Sequence, residues 1–238
     1  MTRIAITFII AITGTCWGVT LPVDCDFADD TPDSPPALGG TNEPSTLNIP
    51  GSGSILVKSA ALGLNDQPCL IDQAGSAAYG SINFEFDPVI EDLLVFEATL
   101  SINVLRNTYV MQTAASTGGV VSRLLLTDTG LIVDKDDTVL GEYSAGVPFR
   151  CRMTVNIQDE NWDCMIDDEL DGFENDPVTE DLPFSNDPSV LPDVNKALAS
   201  LGHVADGVAQ VAYDDIRIEA VEVTATAAGT WSSVKSIY

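Results

Sequence analysis

The stretch CRMTVNIQDENWDCMID, Cys151 to Asp167, alternates apolar and polar residues on both sides of a short acidic interruption. Cys151, Met153, Val155 and Ile157 share one parity, and Arg152, Thr154, Asn156 and Gln158 the other. That is the two-residue period of a strand with one buried face. Trp162, Cys164 and Ile166 repeat the pattern after the interruption. Matching the two apolar faces sets Ile157 opposite Trp162, Val155 opposite Cys164 and Met153 opposite Ile166, with Gln158 to Asn161 as a four-residue hairpin loop. In that register Cys151 lies about 13 Å along the strand from the residue opposite Cys164, which argues against a bond between them. Asp159 and Glu160 fall at the turn, where carboxylates are solvated, so most of the local acidity needs no site to explain it.

Outward from this hairpin, further short runs are bounded by Gly, Pro, Asn or Asp. They are SILVKSA (54–60), SINFEF (81–86), LLVFEATLSINV (93–104), TYVMQT (108–113), VVSRLLLT (120–127) and GLIVD (130–134). β-branched residues dominate most of them. Strands at this density predict an all-β fold, a two-sheet antiparallel sandwich of jelly-roll type. Residues 193–202, DVNKALASLG, fit a helix capped by Asp193 and equally a strand.

The chain divides into four parts. Residues 1–18 have the order of a secretory signal peptide: Arg3, an apolar run from Ile4 to Ile12, then small residues around Gly14 to Gly18. Such a run is too short to span a bilayer. Residues 19–50 read as an extended wrapping segment, rich in Pro, Gly, Asp and Ser from Asp29 onward. Residues 51–224 form the sandwich, and 225–238 a tail in which Trp231, Val234, Ile237 and Tyr238 are spaced as a short docking peptide.

Charge narrows the function. Thirty-six acidic residues against 10 basic ones give a formal net charge of −26, which repels duplex nucleic acid and anionic membrane surfaces. Disorder is not implied, because 45% of the residues are hydrophobic. An exported, carboxylate-rich chain suits a hydrated surface or one that holds cations such as calcium. Past the leader, Cys25, Cys69, Cys151 and Cys164 permit three complete pairings. A Cys25–Cys69 bond would tie down the amino-terminal segment, leaving Cys151 and Cys164 as buried thiols.

Catalytic patterns are thin. His203 is the only histidine, no G-x-S-x-G elbow is present, and Gly118-Gly119 lacks the lysine of a phosphate loop. Asp167, Glu169, Asp171 and Gly172 mimic positions one, three, five and six of a calcium loop, but Val178 stands where a bidentate glutamate is required. That stretch therefore reads as a solvated turn.

The sequences VNIQDENWDCMIDDELDG and YDDIRIEAV resemble the concanavalin A-like lectin/glucanase superfamily, including its laminin-G-like modules. There a hairpin of the form W-x-V-x-I-D-G is followed by a last strand D-x-[VI]-R-[VI]. The counterparts are Trp162, Cys164, Ile166 and Asp167, then Asp214, Ile216, Arg217 and Ile218, and the resemblance runs from about Phe27 to Val223. It implies a jelly roll whose concave face holds sugars, and a structural calcium near the chain ends. The ligand aspartate would be Asp214, with Asp215 beside it and a contribution from Asp26 or Asp29. The E-x-D-x-x-E strand of the hydrolytic members is missing, since in EDLLVFE Glu91 and Glu97 share a face but Asp92 points to the other.

Strict alternation in VAYDDIRIEAV also groups Asp214 with Ala212, Ile216 and Ile218, drawing it toward the apolar face. A carboxylate so placed needs calcium or backbone N–H groups as partners. The readings are then a non-catalytic recognition domain binding glycan, or a structural or adhesive cell-surface module binding a protein, with glycoside hydrolysis third. Tyr109, Tyr143 and Trp162 are the candidate sugar-stacking residues, although the hairpin register favours Trp162 in the core. An exposed aromatic pair on the sheet would favour glycan; a flat polar sheet, a protein partner.

Overall fold

The computed structural model describes residues 18–204 and 206–222, so the expected leader, apart from Gly18, and the expected tail lie outside the described residues. The hairpin forms as β11 (Phe149–Asn156) and β12 (Asn161–Asp167), but two residues away from the expected register. Val155 opposes Trp162, Met153 opposes Cys164 and Cys151 opposes Ile166, leaving 157–160 as the loop. A shift of two keeps every side chain on its face, so apolar matching alone does not distinguish the registers. The turn does. Asn156 Nδ2 donates to Asp159 Oδ2 at 2.7 Å, Asp159 N–H donates to Asn156 Oδ1 at 3.1 Å, and Glu160 takes a φ of 58°. The asparagine closes the loop one pair early. Cys151 and Cys164 thereby become diagonal neighbours with Sγ atoms 3.9 Å apart, which corrects the separation expected from the sequence.

The other strands are β1 (Val23–Cys25), β2 (Thr46–Asn48), β3 (Ser54–Val57), β4 (Cys69–Asp72), β5 (Gly80–Val89), β6 (Leu93–Ile102), β7 (Thr108–Ala114), β8 (Val120–Leu126), β9 (Leu131–Val133), β10 (Val139–Glu142), β13 (Val178–Pro183), β14 (Val194–Leu201) and β15 (Gln210–Val221). They build two antiparallel sheets, a jelly-roll sandwich as the alternation predicts. One has the order β13-β12-β11-β6-β15-β4-β3 with β1 also beside β15; the other has β10-β9-β8-β7-β14-β5-β2. We call them the eight-stranded and seven-stranded sheets. Residues 194–201, open between helix and strand in the sequence, are a strand because Ala197, Ala199 and Leu201 alternate into the core between β5 and β7. No helix among the described residues is long and apolar enough to cross a membrane.

The segment 19–50 supplies strands to both sheets. Val19 bridges Phe86 of β5, β1 pairs with β15, and β2 pairs with β5. Cys25 lies opposite Ile216 and Cys69 opposite Tyr213, so the two cysteines sit along one edge of β15. All four described cysteines are buried thiols, including the pair expected to be bonded, and burial pushes the thiols of Cys25 and Cys69 well above the ordinary range.

One polar contact joins the sheets through the apolar interior. Tyr213 of β15 is fully buried, and its hydroxyl lies 2.6 Å from the Val110 carbonyl of β7 and 2.7 Å from the Ser200 carbonyl of β14. It also accepts the Ser200 N–H at 3.1 Å. Removing the hydroxyl takes a partner from each of these buried groups, leaving the Val110 carbonyl with the Ser200 hydroxyl alone. Tyr213→Phe is therefore expected to destabilise the fold by about 1–3 kcal/mol, read from urea unfolding, with the all-β circular dichroism spectrum unchanged.

Candidate functional site

The outer face of the seven-stranded sheet carries a row that crosses five strands in register, polar except at its centre: Thr46, Asn83, Leu198, Gln112 and Arg123. Its members hold one another. Asn83 Nδ2 donates to Thr46 Oγ1 at 3.1 Å, Ser81 Oγ donates to Asn83 Oδ1 at 2.7 Å, and Gln112 Nε2 donates to Ser200 Oγ at 3.3 Å. Arg123 Nε donates to Gln112 Oε1 at 3.1 Å. Beside the row, the half-buried rings of Tyr79 and Tyr109 pack tilted with centroids 5.7 Å apart. The Arg123 guanidinium lies 4.9 Å from the Tyr109 ring centre. Burial raises the Tyr79 phenol above its ordinary value, opposed by the Ser81 and Ser200 hydroxyls and by Arg123.

Backbone geometry points Tyr109 outward. Strict alternation would send Tyr109 to the same side as the buried Met111. A bulge in β7 prevents this: Tyr109 pairs with Leu125 and Met111 with Leu124, so Val110 is the extra residue. Gly202 supplies the room, since a Cβ there would meet Tyr109 Cδ1 and Cε1 at 2.9 Å. Of the three aromatics expected to stack on sugar, Tyr109 alone lies on this face. Trp162 is 1% exposed, with Nε1 donating to the Pro183 carbonyl at 3.1 Å. Tyr143 is 7% exposed, its hydroxyl 2.6 Å from the Thr127 carbonyl. Both are core residues, which corrects their assignment as stacking residues. Tyr79 and Arg123 were missed, although Tyr79 shares the polar parity of Ser81 and Asn83.

The outer face of the eight-stranded sheet is occupied by the chain itself. Glu97 is buried there, held by Arg150 and by Arg152, whose Nε lies 2.7 Å from Glu97 Oε2. Phe173, from the loop after β12, covers the pair, with the Arg152 guanidinium 4.2 Å from its ring centre. Glu97 is thus a neutralised structural carboxylate.

Two acidic groups flank this covered face. The first lines a cleft of ≈ 260 Å³ that includes Asp66, Asp214, Asp215, Thr99, Arg150 and Leu170. The sequence parity for Asp214 fails because β15 carries a bulge between Asp214 and Arg217, with Asp215 at a φ of 48°. Val211, Tyr213, Ile216 and Ile218 are all buried in the core, whereas Asp214 pairs with Thr99 and lines the cleft. Burial, then the charges of Asp215, Asp66 and Asp26, push its carboxyl up to about 7. Its Oδ1 accepts the Asp215 N–H at 3.0 Å, not an amino-terminal one. Asp29 lies exposed on a turn, and Asp26 acts on Asp214 through charge.

The second group is in the loop that reads as a solvated turn. Asp167, Asp171 and Asp176 bring carboxylate oxygens within 4.8 Å of one another. Asp167 is buried and accepts the N–H groups of Asp171, Gly172 and Phe173 at 3.2, 2.9 and 3.1 Å. Those bonds hold its carboxyl below the usual value against the opposing effect of burial. Asp176 is raised by burial and by Asp167 and Asp171, and its buried Oδ2 has no hydrogen-bond partner among the described residues. Three hard oxygen donors, one of them orphaned, fit a divalent cation such as calcium. Glu169 is not in the cluster, so the spacing is one, five and ten, not the alternate carboxylates of the calcium-loop pattern.

No protein-family model and no curated protein matches the chain. Solved structures do match in fold. A sialidase aligns over 83% of this chain and 18% of its own, at 14% identity and a TM-score of 0.52. Botulinum neurotoxin type C, whose cell entry depends on interaction with two ganglioside molecules, aligns over 85% of this chain and 48% of its own, at 9% identity and a TM-score of 0.52. A protein of unknown function from Shewanella oneidensis MR-1 aligns over 81% of this chain and 84% of its own, at 14% identity and a TM-score of 0.50. The chain spans less than half of the sialidase and toxin chains. At these identities the match shows the fold alone, a two-sheet jelly-roll sandwich.

Asp214 sets a pH dependence. Its folded pKa lies above the ordinary carboxylate value, so the folded state holds the proton more tightly than the unfolded one. The resulting cost is absent below pH 4, grows between about pH 4 and 7, and is complete above. In chelator, Asp214→Asn is expected to raise the melting temperature by a few degrees at pH 8 and to leave it unchanged at pH 4.

Proposed function

We propose that this protein is an exported, non-catalytic recognition module that binds glycan on the outer face of its seven-stranded sheet. The observation that carries the reading is the Tyr79–Tyr109 pair, set beside a row of mutually bonded amides and hydroxyls. A sugar ring presents an apolar face edged by hydroxyls. Tilted phenol rings receive the one, and the accessible Asn83 and Thr46, backed by the buried Ser81 and Gln112, exchange hydrogen bonds with the other. The network fixes these side chains before binding, which lowers the ordering cost. Ganglioside dependence in a toxin of similar fold supports a carbohydrate ligand over a protein one. A non-catalytic role is supported by Glu97, whose charge is consumed by two arginines, and by His203, whose Nδ1 lies 2.6 Å from the Ala77 carbonyl.

A glycan array tests the reading. Wild type is expected to bind a restricted set of glycans, and Tyr109→Ala and Tyr79→Ala each to weaken that binding roughly tenfold with the fold intact. Retained binding in both variants would move the site elsewhere, to the cleft or to a loop that docks a protein partner.

Calcium, in this proposal, is structural and sits at Asp167, Asp171 and Asp176 and not at Asp214. It is expected to raise the melting temperature above its value in chelator. Asp176→Asn should remove that rise and Asp214→Asn should keep it; the opposite pattern assigns the ion to the cleft.

A further inference from the structure

Arg123 differs from every other described lysine and arginine. Lys58 is paired with Asp33, Arg106 with Asp206, Lys135 with Asp136, Arg150 and Arg152 with Glu97, Lys196 with Glu85, and Arg217 with Glu219. Arg123 makes no ion pair among the described residues, in a chain with 36 acidic residues and a net charge of −26. Acidic partners are abundant, so their absence around this one cation reflects its surroundings. It faces neutral groups: Nε is taken by Gln112 Oε1 at 3.1 Å, and the guanidinium stacks on Tyr109 at 4.9 Å.

These two contacts also orient it. Gln112 fixes the plane through Nε and the Tyr109 ring supports one side, leaving the terminal amino groups for a partner beside the tyrosine pair. A guanidinium so held presents parallel N–H donors with the geometry that a carboxylate or sulfate accepts. Neutral sugar hydroxyls do not need the charge, and a protein of this net charge repels anions everywhere else, so a preference for an anionic ligand must be local. Lys196, on the same face, cannot supply it because its Nζ lies 2.5 Å from Glu85 Oε1.

Resting on the glycan reading, we propose that the bound glycan is anionic, and that Arg123 receives its carboxylate or sulfate while the sugar ring rests on Tyr109 and Tyr79. Arg123 is then the specificity-determining residue of the face.

The test is an array of neutral glycans printed beside counterparts that differ only by a carboxylate or a sulfate, followed by calorimetry on the matched pairs. Wild type is expected to prefer the charged member of a pair at least tenfold, the two arms telling carboxylate from sulfate. Arg123→Gln, checked by an unchanged melting temperature, should lose roughly 10- to 100-fold affinity for charged glycans and little for neutral ones. Arg123→Lys should keep part of the preference, which a merely structural role on Tyr109 would not predict. Equal binding of neutral and charged members, or an undiminished preference in Arg123→Gln, overturns the inference while leaving glycan recognition standing. Failure to bind any glycan overturns both.

Discussion

The Tyr213 hydroxyl, buried between the sheets, is the contact on which the candidate face depends. It meets the Val110 carbonyl, and Val110 is the inserted residue of the β7 bulge. An extra residue leaves backbone groups outside the ladder, and in a dry core they need another partner. Tyr213 provides one, and the Ser200 hydroxyl provides a second at 3.1 Å from the same carbonyl. The bulge is thereby stabilised from inside, and its consequence appears outside: Tyr109 and Gln112 look outward while Val110 and Met111 fill the core. The same Ser200 hydroxyl accepts from the buried Gln112, so the support continues without a break from core tyrosine through that amide to Arg123.

A second bulge does comparable work on the other sheet. At Asp214 and Asp215 an inserted residue reverses the alternation of β15 and turns a carboxylate out of the core into a cleft. There it gathers with other acids and holds its proton to near neutrality. The tyrosine pair and the Asp214 cleft thus both lie where regular alternation fails, which is where a sheet can aim a side chain that the pleat would otherwise misdirect.

The distribution of charge separates the two outer faces. On the eight-stranded sheet two arginines converge on one buried glutamate beneath Phe173, a closed arrangement in which both cations are already paired. On the seven-stranded sheet Arg123 rests among neutral groups, and its charge remains available. With so few cations against so many carboxylates, a cation that makes no ion pair among the described residues is the feature that distinguishes the faces.

The sequence by itself determined the class of fold and the composition of its core. Period-two alternation in Cys151–Asp167 and the neighbouring runs requires strands with one buried face, and that pattern survives any shift of register by two. It did not determine register, because such shifts preserve the faces. The Asn156–Asp159 turn chose the register, and with it the proximity of Cys151 to Cys164. Nor did it determine which side Tyr109 or Asp214 occupies, since parity counts residues and a bulge adds one. Hairpin parity already favoured Trp162 in the core, whereas Tyr143 was nameable as an aromatic but not as a buried one until its hydrogen bond to the Thr127 carbonyl was known. Tyr79 and Tyr109, thirty residues apart, and Arg123 meet only because the order β8-β7-β14-β5 sets their strands within one sheet, and strand order depends on long-range pairing that no local pattern encodes.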